Sequence, residues 1–144
     1  MIEKIKNAVT CRLHDVFGTA CEIYTEEVDQ GAELPFVFVE MFPTEFTLEN
    51  NALERQTIGV RMAYIPKVYS QDEMTNAAIS IKRAFLYQPL SVDGRAVSTY
   101  HVAFDIADDC LIGTMAYEIY VDPGIIDESG LDTMQNMELN LKKE

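Results

Sequence analysis

The chain is poor in what nucleic-acid binding, metal binding and membrane insertion draw on: bases, histidine, cysteine and long apolar runs. Eleven Lys and Arg face 24 Asp and Glu, a formal net charge of −13. A field of that sign repels phosphate backbones and anionic membranes, which argues against generic DNA binding and a lipid-surface role. Cys11, Cys21 and Cys110 are an odd number without CxxC or Cys/His ligand spacing, so neither a disulfide framework nor a zinc site is expected, and they read as reduced packing residues. No apolar run approaches the roughly 20 residues that cross a bilayer, and no charged-then-apolar leader precedes a small-residue cleavage site. The expected location is the cytoplasm in which the chain is made. Gly-rich phosphate loops, GxSxG, HExxH and EF-hand patterns are missing too.

The few polar constellations that remain do not assemble into a catalyst. His14-Asp15 falls on a helical stretch, with His14 about 120° from the middle of the apolar stripe, and reads as solvated. His101 and Asp105 share a strand face but stand four residues apart, about 13 Å between α-carbons, too far for direct contact. Glu26-Glu27 and Asp108-Asp109 are adjacent carboxylates, and neighbours on extended chain point apart and do not converge on one water or metal. Glu22 to Glu33 holds five acids and Glu40 to Glu54 holds four, neither with a base, and such runs read as solvated connections. Tyr64, Tyr100, Tyr117 and Tyr120 fall in strand-like stretches, where aromatics fill cross-strand positions; a base-stacking platform would need basic residues among them. The expectation is therefore no enzyme, no metal and no cofactor.

What is present suffices for one domain: 144 residues, 48% of them hydrophobic, can bury a core without staples. Ile2, Ile5, Val9, Leu13 and Val16 recur at helical steps and predict a helix over 2–17 ending near Gly18. Ser70-Gln71-Asp72-Glu73 is a capping box, and Met74, Ala77, Ala78, Ile81 and Phe85 make the stripe of a second helix over 71–87, stopped before Pro89. Strands are expected at 21–24, 36–41, 57–65, 96–106 and 111–121. Asp93-Gly94 marks a turn, and Ala107 to Cys110 a short acidic connection closing a second hairpin. The connection from Pro43 to Arg55 is long and mixes polar residues with Phe46, Leu48 and Leu53; exposed apolar residues there, with Arg55 at the end, would contact a neighbouring subunit. Residues 1–123 read as a single α+β domain, a mainly antiparallel sheet of four to five strands packed by two helices. Residues 124–144 read as a polar tail or arm.

One segment joins two strand-like runs through a turn: Tyr24, Val28, Gln30-Gly31, Pro35, and Phe36 through Val39. Gly31 supplies the φ > 0 conformation of the turn, and Pro35 opens the next strand, where its missing N–H costs little. Together with Ile23, the Glu54-Arg55 strand start, Tyr64-Ile65-Pro66 and the final Tyr117-Glu118-Ile119-Tyr120, this segment resembles the tail terminator (tail completion) proteins of phages and prophages of Gram-positive bacteria, over roughly residues 2 to 121. The resemblance implies a tail-terminator-like fold and a non-enzymatic role. Such proteins form a ring, commonly a hexamer, on the head-proximal end of the tail tube. They stop tube polymerisation and offer a surface for the head connector. The implied partners are copies of the chain itself, the tube protein and the head-connector protein, with DNA passing through the ring. The chain would sit in the host cytoplasm during assembly and in the virion tail afterwards. A small ligand-binding or regulatory module is the alternative, and it would show a closed apolar pocket with a few convergent polar groups. An uncharacterised enzyme would have to draw its site from residues far apart in sequence.

Overall fold

The computed structural model describes residues 1–25 and 32–125. Helix α1 (Ile2–Phe17) buries Ile5, Val9 and Leu13 completely, at a gain of about 1.5–3 kcal/mol for each such side chain. It stops at Gly18, whose φ of 64° suits glycine and whose N–H returns to the carbonyl of His14. Helix α2 (Gln71–Phe85) buries Met74, Ala77, Ile81, Ala84 and Phe85. The described strands are β1 (Glu22–Tyr24), β2 (Phe36–Asn50), β3 (Leu53–Ile65), β4 (Leu90–Val92), β5 (Arg95–Val97), β6 (Val102–Ala107) and β7 (Cys110–Val121). They make a five-stranded sheet in the order β1-β2-β3-β7-β6 and a separate two-stranded ribbon, β4-β5. The α+β expectation therefore stands, with one addition: β1 runs parallel to β2, Glu22 beside Phe36 and Tyr24 beside Phe38, so the sheet is mixed.

The described residues group into two compact units, one within 1–44 and 57–118, the other of 45–56 with 119–125. In the first unit the core lies between the helices and one sheet face. Val37 and Val39 of β2, Ile58, Val60, Met62 and Tyr64 of β3, and Leu111, Met115 and Tyr117 of β7 are all buried, at every second position as a half-buried sheet requires. Tyr64 shows that both helices lie on that face: its ring stacks on Phe17 of α1 at 5.5 Å, and its hydroxyl donates to Glu73 of α2 at 2.6 Å. Gly113 allows a close approach, since a Cβ there would stand 3.0 Å from the ring of Phe104, its partner across β6 and β7.

Several boundaries differ from the sequence reading. The second helix ends at Phe85 and not at 87, because Arg12 of α1 donates to the carbonyls of Ala84, Gln88 and Pro89 and holds the chain leaving it. The stretch expected as one strand over 96–106 is two: β5 closes a hairpin on β4 through Asp93-Gly94, and only β6 joins the main sheet. Between them buried Thr99 turns its hydroxyl toward the carbonyl of His101 at 3.4 Å, so Tyr100 and His101 stand outside the strands. The long connection from Pro43 to Arg55 is no loop, for β2 and β3 run through it to a two-residue turn at Asn51-Ala52. Pro43 is tolerated in mid-strand because β1 pairs only with Phe36 to Phe38, leaving that side of β2 without a ladder beyond them among the described residues. The capping box is half made: Ser70 Oγ accepts from the Glu73 amide at 3.4 Å, but the Glu73 carboxylate takes the Tyr64 hydroxyl.

Candidate assembly surface

Among the described residues, neither the polar pairs nor the thiols converge on a reaction centre, and Glu26-Glu27 lies outside them. His14 and His101 are exposed, and no group of three or more His, Cys, Asp or Glu among the described residues could hold a metal ion. Burial, helped by the nearby Glu22 charge, pushes the Cys21 thiol up to about 11. Cys110 is raised in the same direction by burial and by Asp108 and Asp109, so neither sulfur is an activated thiolate. Asp108 and Asp109 have a structural task. Both adopt positive φ, 53° and 60°, forming the two-residue turn between β6 and β7 that the twist of a hairpin favours. Asp93 does likewise at φ 52°, and there the Lys4 ammonium, bonded at 2.7 Å, holds its carboxyl below the usual range. Ala32, Glu33, Leu34 and Lys67 line a cleft that is open to solvent, unlike the enclosed apolar pocket that a ligand-binding module needs.

The residues singled out in the turn-and-strand segment divide. Tyr24 and Phe36 meet edge to face at 5.4 Å, and Pro35 directly precedes β2. Val28, Gln30 and Gly31 lie outside the described residues. In the hairpin tip, Phe46 is 56% exposed and Leu48 52%, with Leu53 also exposed. Arg55 is half-buried beside them, its Nε 3.7 Å from Glu49 and its Nη2 3.4 Å from the Thr47 hydroxyl. Asn50 braces the turn by accepting from the Ala52 amide at 2.8 Å, and Gln56 donates to Glu54 at 2.9 Å. This end is therefore an ordered pair of strands displaying apolar side chains, which water alone does not reward.

Two further surfaces were not visible to sequence reasoning. The sheet face turned away from the helices carries Phe36, Phe38 and exposed Phe42, with Glu40 and Arg61 paired at 3.1 Å. Alternation along β2 was the available signal, hidden because apolar residues occupy both faces of Phe36 to Met41. On the helical side, Ile79 and Tyr87 are exposed, the latter beneath the Lys82 ammonium at 5.4 Å. Tyr100 is 89% exposed and fills no cross-strand position, and Tyr120 is exposed as well, whereas Tyr64 and Tyr117 are core residues.

An α+β domain with dispersed ionisable groups and several exposed apolar surfaces has the features of a protein that works by binding other proteins. A family model described as phage tail terminator protein matches residues 4–128. The chain belongs to the phage tail terminator family; it is a structural protein of the phage tail and not an enzyme. Among solved structures, a chain from the virion of a native gene transfer agent particle shares the fold, with TM-score 0.52 and 14% identity, the match covering 83% of this chain and 95% of that one. A second solved chain, 13% identical over 83% of this chain and 93% of its own, has a TM-score of 0.47 and carries no argument. No curated relative matches in sequence.

Proposed function

We propose that the protein caps the head-proximal end of the tail tube, halts tube polymerisation and offers the surface on which the head connector docks. The observation that carries this reading is family membership over residues 4–128 of the 144. The exposed hairpin residues Phe46, Leu48 and Leu53, with Arg55, support it, since a ring protein needs surfaces for two lateral neighbours and two axial partners. Residues 1–123 act as the assembling domain, as a hexameric ring in the finished tail, and 124–144 as an appended polar tail or arm. Assembly takes place in the host cytoplasm and the ring remains in the virion tail. The net charge of −13 lets DNA pass through the ring without adhering to it.

Capping requires a face that matches the tube on one side and cannot recruit another tube ring on the other, so tubes without the cap should keep growing. Particles from a prophage lacking this gene should show, by electron microscopy, free heads beside headless tails of variable and often excessive length. Tails of normal length joined to heads would rule the role out, and missing or empty heads with normal tails would point to a head-side function.

A further inference from the structure

The surface of α2 carries a feature that neither helix packing nor the core accounts for. Ile79, Lys82 and Arg83 stand at steps of three and four residues, on one helix face, and Tyr87 follows just past the helix end under the Lys82 ammonium. Ile79 is 38% exposed and Tyr87 63%. Lys4 and Arg61 each hold a carboxylate, at 2.7 and 3.1 Å. Lys82 and Arg83 hold none among the described residues, in a chain with 24 acids to 11 bases. Cations in the last turn favour the helix dipole, which explains their sign. It does not explain two exposed apolar side chains beside them.

The hairpin tip has the opposite make-up. Between Glu45 and Gln56 it displays Phe46, Leu48 and Leu53 among Glu45, Glu49 and Glu54, with Arg55 the one base. Arg55 is engaged with Glu49 and Thr47, so the acids outweigh it. Apolar residues framed by acids on one surface and by bases on another are complementary in both respects.

We propose that the hairpin tip Glu45–Gln56 of one copy seats on Ile79, Lys82, Arg83 and Tyr87 of a second copy. The two surfaces are different parts of one chain, so the contact is heterologous, repeats from copy to copy, and closes into a ring when the rotation allows. This rests on the ring reading above and identifies the lateral contact within it. Charge complementarity selects a second copy as the occupant. A tube or connector protein taking the same patch would appear as an outcome of the test.

The test is charge reversal on the full chain, read by sedimentation velocity over a concentration series at about 0.1 M salt. Wild type should assemble with concentration and less so as salt rises. The variant Lys82→Glu/Arg83→Glu and, separately, Glu45→Lys/Glu54→Lys should each raise the concentration needed for assembly at least about tenfold, with the monomer's melting temperature little changed. An equimolar mixture of the two should recover assembly, because each reversed surface then meets its complement. Arg83→Ala, which creates no new charge, should weaken assembly and flatten its salt dependence even if the double reversal perturbs the helix. Suppose Phe46, Leu48 and Leu53 changed together to Ser abolish assembly while both α2 variants assemble normally. The ring reading then survives, and this contact is overturned, the patch being left to an axial partner. A wild-type chain still monomeric at about 1 mM overturns both.

Discussion

Tyr117 is wholly buried on β7, and its hydroxyl has no hydrogen-bond partner among the described residues. An unmade bond of that kind costs about 1–3 kcal/mol, whereas the hydroxyl of Tyr64, also a core residue, donates a hydrogen bond to Glu73 at 2.6 Å. Burial raises the pKa of Tyr117 well above the ordinary value, with the Arg12 charge pulling more weakly the other way. Tyr64 is raised too, by burial first and then by the Glu73 hydrogen bond and charge. A phenol whose folded pKa exceeds its unfolded value of about 10 is favoured in its neutral form. The stability it contributes is therefore complete below pH 10 and is lost as pH climbs through and beyond that point. Tyr117→Phe keeps the ring and deletes the orphan oxygen. We expect urea unfolding at pH 7 to show a stability equal to wild type or higher by up to about 1 kcal/mol, with a shallower decline between pH 9.5 and 11. A loss of more than about 1.5 kcal/mol at pH 7 would mean that the hydroxyl has a partner after all. None of this was legible in sequence, where the strand tyrosines looked alike; burial and partner distinguish them, and both depend on what crosses the sheet.

At the scale of elements, one side chain of α1 reaches both α2 and the chain that leaves it. The Arg12 guanidinium donates to the carbonyls of Ala84, Gln88 and Pro89, the last at 3.1 Å, and lies 6.0 Å from the centroid of the Phe85 ring. The Ala84 carbonyl, in the last turn of α2, has no partner within the helix, and a planar cation with several donors satisfies it together with the two carbonyls beyond as a lysine cannot. Arg12→Ala should destabilise the fold by about 1.5–3 kcal/mol in urea unfolding, and Arg12→Lys should recover only part of that. Equal stability of Arg12→Ala and wild type would show that water replaces the guanidinium without cost. The helices themselves were legible because their apolar stripes persist over several turns, as at Ile5, Val9 and Leu13. The ribbon β4-β5 was not, since strands of three residues are too short to show a period, though Asp93-Gly94 marked its turn. The hairpin tip was half legible. Phe46, Leu48 and Leu53 stood out, but Pro43 reads as a strand breaker, and only the short reach of β1 along β2 shows why it is none. The α2 patch was hidden in a different way: Lys82 and Arg83 look like ordinary last-turn cations until Tyr87 is found under one of them.

For the molecule as a whole, the question is how much of the chain the fold needs. Core side chains of the larger unit run from Ile5 to Tyr117. The family match ends at residue 128. Residues 129–144 contribute three acids and two bases, so their removal takes the net charge from −13 to −12 and leaves the electrostatic balance nearly as it was. Charge therefore gives those residues little share in stability. A chain ending at residue 128 should melt within about 2 °C of the full chain, a smaller change than the 2–8 °C that 1 kcal/mol produces in domains of this general size. Differential scanning calorimetry of the two chains, at a concentration low enough to keep both monomeric, makes the comparison. A drop beyond about 4 °C would show that the segment packs on its own domain, and 124–144 would cease to be an appended arm. If melting is unchanged and assembly nonetheless weakens in the same sedimentation series that tests the α2 contact, the arm belongs to the interface and its partner is another chain.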